Sequence, residues 1–129
     1  MRAGPDVEVF GDALPGARVA ILVTEALASC GITDGHVAVS FVGADGIAEL
    51  NVEYRGKEGP TDVLSFPVDG DSAQVAGPRE IGDIVICPAC TTDLEEAVVH
   101  GALHLAGMDH ETDSGEMLAL QDELMERRK

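Results

Sequence analysis

Tryptophan is absent from this chain, and one tyrosine and three phenylalanines are all its aromatic residues. The core of a single domain over residues 1–129 is therefore expected to be built from Ala, Val, Leu and Ile. Basic residues are also scarce: eight Lys and Arg against 24 Asp and Glu leave a formal net charge of −16. Diffuse attraction cannot be what binds this chain to nucleic acid, because that affinity comes from Lys and Arg neutralising phosphates. A divalent cation and one or two arginines can still dominate the field of one cleft. No apolar run approaches the ~18 residues of a membrane span, and Met1–Asp6 shows no apolar segment of signal-peptide type. The chain reads as cytoplasmic, without a membrane partner. Its three cysteines, Cys30, Cys87 and Cys90, do not describe a disulfide framework.

Histidine is not abundant either, but three of the four lie within residues 100–110, spaced His-x3-His-x5-His. Residues four apart share a helix face, so His100 and His104 can present two imidazoles to one point. Gly107 can close the helix in the left-handed conformation, and the chain then turns back so that His110 reaches the same point. Three neutral imidazoles leave a fourth position open, which is the composition of a catalytic rather than a structural zinc site, with one ion per chain. Another divalent transition metal would suit the same donors. The protease pattern H-E-x-x-H places a general-base glutamate next to the first ligand. Here that position is Gly101, which disfavours peptide hydrolysis.

The rest of the chain alternates between periods of two and of 3.6. Val7–Phe10, His36–Val42, Thr61–Pro67 and Ile81–Cys87 read as strands, the third at a sheet margin because it ends in proline, the fourth central because it is almost continuously apolar. Ala17–Ser29 and Ala44–Tyr54 read as helices, the second with Asp45 as N-cap and with Ile47, Leu50 and Tyr54 on one stripe. A capping box at Thr92–Glu95 opens a helix near Asp93 that runs to about Ala106. Asp113 with Glu116 opens a last helix through Arg127, whose stripe is Met117, Leu120 and Leu124. Arg127, Arg128 and Lys129 suit the negative end of that helix. Residues 68–79 read as a loop and His36 as a plain surface residue. Cys87 and Cys90 form a C-x-x-C between a strand and a helix, where a redox pair or two half-buried thiols can sit. The architecture is α+β: a small mixed sheet of about four strands packed with about four helices.

Four segments together resemble the YbeY family of metal-dependent bacterial endoribonucleases. They are Asn51-Val-Glu-Tyr54-Arg55-Gly-Lys57, Pro60-Thr-Asp-Val-Leu-Ser-Phe-Pro67, Gly82-Asp-Ile-Val-Ile86 and His100-Gly-Ala-Leu-His104-Leu-Ala-Gly-Met-Asp109-His110. The last string is highly specific and the other three support it. The resemblance implies a zincin-like fold, zinc on His100, His104 and His110, and a functional arginine at Arg55. It also implies single-stranded RNA, above all small-subunit ribosomal RNA, as substrate, with small-subunit ribosomal proteins or assembly factors as partners. One departure is visible. Only residues 88–99 separate Cys87 from His100, where family members usually carry an added helix.

In this reading Arg55 offers a planar fork to the phosphate as negative charge builds there; without the resemblance it would be read as closing a salt bridge with Asp62 or Glu53. Asp109 is read as orienting a ligand histidine from behind, and Asp62 as doing likewise or capping its turn. Three other classes compete: a metallopeptidase or other zinc hydrolase that holds a peptide along the strand at Thr61–Phe66, a non-catalytic ribosome-assembly factor with a structural metal, and a thiol redox protein.

Overall fold

The computed structural model describes residues 5–68, 80–109 and 112–127. In chain order they form β1 (Asp6–Phe10), α1 (Gly16–Ala28), β2 (His36–Phe41), α2 (Ala44–Arg55), β3 (Val63–Pro67), β4 (Glu80–Ile86), a 3₁₀ turn (Pro88–Cys90), α3 (Leu94–Leu105) and α4 (Glu116–Arg127). The sheet order is β1-β2-β4-β3, with β1, β2 and β4 parallel and β3 antiparallel at the margin. An edge suits β3, since Pro67 has no N–H to give to a further strand. Four helices against a mixed four-stranded sheet make the α+β fold that the alternation of periods predicts. The loop read at 68–79 lies outside the described residues except for Val68, whose N–H donates to Ile81 O at 3.0 Å and extends the β3–β4 pairing.

Strand β4 divides the core in two. Ile84 and Ile86 join Val37 and Val39 of β2 and the buried faces of α1, α3 and α4. Val85, between them, packs with Cys87, with Leu64 of β3 and with Ile47 of α2. Burial on both faces is what an almost continuous apolar strand requires. Three helices thus cover one side of the sheet, and α2 covers the other. Among the described residues, no helix is long and apolar enough to cross a membrane.

The helix starts follow their caps. Asp93, rather than Thr92, is the N-cap of α3, and its Oδ1 accepts from Glu96 N–H at 3.0 Å. Glu95 is drawn instead to α1, where Arg18 donates to both of its carboxylate oxygens at 2.8 Å. At α4 the two predicted residues do cap the start of the helix, but through bonds other than the reciprocal pair of a capping box. Asp113 accepts from Gly115 and Met117 N–H at 2.8 and 2.9 Å, and Glu116 accepts from Ser114 N–H at 2.7 Å. The expected cap of α2 is different: Gly43 is the N-cap, without a side-chain bond, and Asp45 sits in the first turn. There its carboxylate acts on the helix dipole rather than on a particular N–H. At the other end of the chain Arg127 pairs with Glu123 at 2.6 Å, one helical turn back; residues 128 and 129 lie outside the described set.

His36 is more than surface decoration. At the start of β2 its Nδ1 lies 2.9 Å from Glu80 of β4 and its Nε2 lies 3.0 Å from Glu8 of β1, so one imidazole bridges three strands. Hydrogen bonding to Glu80, and then to Glu8, raises its pKa above the ordinary histidine value. The stabilisation from such a group is fully present below the unfolded-state value, near ~6.5, and is lost as pH rises through the raised folded value. All three side chains are partly solvated, so the clamp is worth no more than about 1 kcal/mol. Denaturant midpoints should fall more between pH 5.5 and 8.5 for the parent than for His36→Gln. Parallel pH profiles would show that the clamp adds nothing.

Candidate metal centre

His100 and His104 stand on one face of α3, half-buried, with ring centroids 4.8 Å apart and ring planes at 74°. Two imidazoles sharing a zinc ion, at a Zn–N distance near 2.1 Å, have centroids about 5 Å apart, so the pair fits a common cation. The helix ends as the glycine predicts. Gly107 takes φ +101°, its N–H donates to His104 O at 3.0 Å, and Met108 N–H donates to Leu103 O at 3.1 Å. Both bonds of a Schellman ending are present, and they turn the chain back over the histidines.

That turn also orients a ligand candidate. His104 Nδ1 lies 3.0 Å from the carbonyl of Met108. A carbonyl only accepts, so Nδ1 carries the proton and the neutral ring keeps its lone pair on Nε2. His100 is set in the same way: its Nδ1 lies 2.7 Å from Gln121 Oε1 on α4. Gln121 is 7% exposed on an otherwise apolar helix face. Hydrogen bonds of this kind fix the tautomer of metal-binding histidines and increase their basicity. Among the described residues no group of three or more His, Cys, Asp or Glu forms a metal site. His110, the third predicted ligand, lies outside them. The donors that are described suit zinc or another first-row divalent cation.

Gly101 has a packing reason to be glycine. A Cβ there would lie 2.6 Å from Ile84 Cγ2 and 3.3 Å from both Val63 Cγ2 and Ser65 Oγ. Ser65 Oγ also donates to Gly101 O at 3.0 Å, so α3 lies flush against β3 and β4. A glutamate next to the first histidine has no space. Gly101→Ala is expected to cost about 1–3 kcal/mol through overpacking, even though alanine favours the helix by roughly 1 kcal/mol. An unchanged denaturant midpoint would mean that α3 does not sit this close to the sheet.

The histidines line a cavity of about 640 Å³ together with β3, Tyr54, Arg55, Asp62 and Asp109. Arg55 is the last residue of α2, and the left-handed Gly56 then turns the chain into an exposed loop. The loop is held from beneath by Asn51, 4% exposed, whose Nδ2 donates to Gly59 O at 2.9 Å. Arg18 and Arg127 are paired with Glu95 and Glu123. Arg55 and Lys57 have no acidic partner among the described residues; the alternative pairing of Arg55 with Asp62 or Glu53 does not form. Asp62 Oδ1 accepts instead from Val63 N–H at 2.9 Å and from Thr61 Oγ1 at 3.3 Å, so Asp62 caps its own turn. Asp109 follows the Schellman turn, and its carbonyl accepts from Asp113 N–H at 3.0 Å. Asp109 also lines the cavity beside His100 and His104.

Only a 3₁₀ turn opens the short connection from β4 to α3. It brings Cys87 Sγ, fully buried, within 2.9 Å of Cys90 Sγ, and both thiols are free. The Cys87 hydrogen bond and then burial raise the Cys90 pKa, the opposite of the lowering that activates a redox cysteine. Three residues at the site were not found by sequence reasoning. Gln121 left a signal, a polar residue within the stripe of Met117 and Leu124. Asn51 and Tyr54 left none outside the family motif.

A protein-family model described as Endoribonuclease YbeY matches residues 17–129. Similar proteins named Endoribonuclease YbeY include one from Rubrobacter xylanophilus, 48% identical over 95 residues, covering 71% of this chain and 67% of that protein. One from Corynebacterium aurimucosum is 40% identical over 115 residues, covering 71% and 60%. One from Koribacter versatilis is 37% identical over 116 residues, covering 86% and 76%. The chain thus spans between about three fifths and three quarters of these relatives' own lengths. The solution structure of TM1509 from Thermotoga maritima matches with a TM-score of 0.55 at 30% identity, over 93% of this chain and 87% of that one. With the family model spanning residues 17–129 and a relative of that name 48% identical, this chain belongs to the YbeY family.

Proposed function

We propose that this chain is a cytoplasmic metal-dependent endoribonuclease that cuts single-stranded RNA, with ribosomal RNA as its substrate during maturation and quality control of the ribosome. Small-subunit ribosomal proteins or assembly factors are its partners. One observation carries the reading: two imidazoles whose Nδ1 atoms are already anchored, and a guanidinium with no acidic partner among the described residues, line the same cavity. The names of the relatives support RNA as the substrate.

His100, His104 and His110 hold one zinc ion. When bound, it supplies Lewis acidity toward a phosphoryl oxygen and toward water. The protein's own residues do the rest. Met108 O and Gln121 keep both rings in the tautomer that binds metal. Arg55 places two parallel N–H donors on the phosphate, stabilising charge that grows in the transition state. Asp62 shapes the loop that ends in β3, and Asp109 supports the ligands from the turn after α3. With no side chain at 101, the glutamate chemistry of peptidases is unavailable, and this ranks the metallopeptidase second. A non-catalytic assembly factor would have no use for an arginine that shares the histidines' cavity and has no acidic partner among the described residues.

Incubation of the protein with a short unstructured RNA and with casein separates the classes. RNA is expected to be cut, a chelator to stop cleavage and zinc to restore it, while casein stays whole. Casein digestion with intact RNA would overturn the assignment.

A further inference from the structure

An RNA-cutting protein of net charge −16 has a binding problem. Electrostatic attraction to the phosphate backbone is the usual source of affinity, and here the global field opposes it. Among the described residues only Arg55 and Lys57 are cations without an acidic partner, and they lie two residues apart. Contacts that do not depend on charge would add to what Arg55 supplies.

The aromatic residues provide them. The chain has four, and two of them meet at the cavity: Tyr54 and Phe66, with centroids 5.2 Å apart and ring planes at 69°. Phe66 packs onto the cluster of Ile47, Leu64, Val85 and Cys87, which fixes its ring. Tyr54 rests against it edge to face and remains 60% exposed. Periodicity places Tyr54 on the stripe of Ile47, but at this last turn of α2 the ring lies against Phe66 of edge strand β3, and among the described residues no further strand pairs beyond β3. In a protein so poor in aromatics, an exposed tyrosine held by a fixed phenylalanine contributes little to the core. It does offer a flat, rigid face beside Arg55.

We propose that Tyr54, braced by Phe66, is a stacking site for one unpaired nucleobase, whose adjacent phosphate Arg55 holds. This rests on the endoribonuclease reading and specifies how the strand is bound. Stacking suits the site because every base has a π-face and the interaction needs no net positive charge. It also selects single strands, since both faces of a base inside a duplex are already covered. Tyr54 is not a catalytic residue in this proposal; it fixes the nucleotide next to the one that is cut.

The zinc-loaded protein is tested with two RNA hexamers, one carrying 2-aminopurine beside the scissile phosphate and one abasic at that position. On rapid mixing, before cleavage, 2-aminopurine emission should be quenched by the parent protein and not by Tyr54→Ala. Losing the base, or losing the ring, should each raise KM roughly 5- to 150-fold, the scale of one stacked base, with the change on KM rather than kcat. Tyr54→Trp should restore both quenching and KM. Equal KM values for the two hexamers, or a tryptophan variant no better than alanine, would overturn the stacking site while cleavage itself left the endoribonuclease reading intact. Failure of the parent to cut either hexamer would remove both.

Discussion

Alanine at His104 is expected to leave a folded protein that neither retains zinc nor cuts RNA. His104 is half-buried on an exposed-to-groove face of α3, and alanine is the best helix former, so little stability is at stake. Metal affinity is another matter. Disturbing a group that merely orients a ligand typically costs 10–100-fold in affinity, and removing a ligand must cost more, beyond about 100-fold. Metal analysis after desalting, beside a denaturation curve, makes the test. One stoichiometric zinc held at the parent's affinity would remove His104 from the ligand set, and with it the active-site proposal.

Arg55→Ala should do the opposite to the metal and nearly the same to the reaction. The side chain is exposed at the end of α2 and without an ionic partner among the described residues, so zinc content and unfolding midpoint should hold to within about 0.5 kcal/mol. RNA cleavage should fall about 10²- to 10³-fold, the usual loss when one donor aimed at developing charge is removed. Arg55→Lys should recover only part of this, because an ammonium carries the charge without the planar two-point fork. Activity within threefold of the parent would exclude Arg55 from the mechanism. The pair of variants separates holding the metal from stabilising the phosphate, which a single loss of activity cannot do.

The glycine between the two histidines has two meanings that only together explain the site. Read along the chain, Gly101 is a missing glutamate. Read in space, it is the point where α3 touches β3 and β4 so closely that no side chain fits. Packing and available chemistry are therefore linked: the close approach of α3 to the edge strand sets the histidines on the same cavity as β3 and Arg55, and it leaves no room for the peptidase base.

Much of the molecule was legible in the order of its residues, for a short-range reason. Helix and strand periods translate spacing into faces, so His100 and His104 could be paired, β4 recognised as internal and Gly107 read as a helix ending. The starts of α3 and α4 were visible to within a few residues because a cap and the N–H groups it satisfies are only two to four residues apart, even though Asp93 takes the place of Thr92. Where each face would end up was decided by the tertiary structure. Gln121 meets His100 across 21 positions, His36 joins carboxylates from two other strands, Glu95 leaves its cap for Arg18, and Tyr54, on the apolar stripe by periodicity, stays 60% exposed against Phe66. Periodicity determines which side of an element is apolar; only the packing of whole elements determines which partner, if any, lies opposite it.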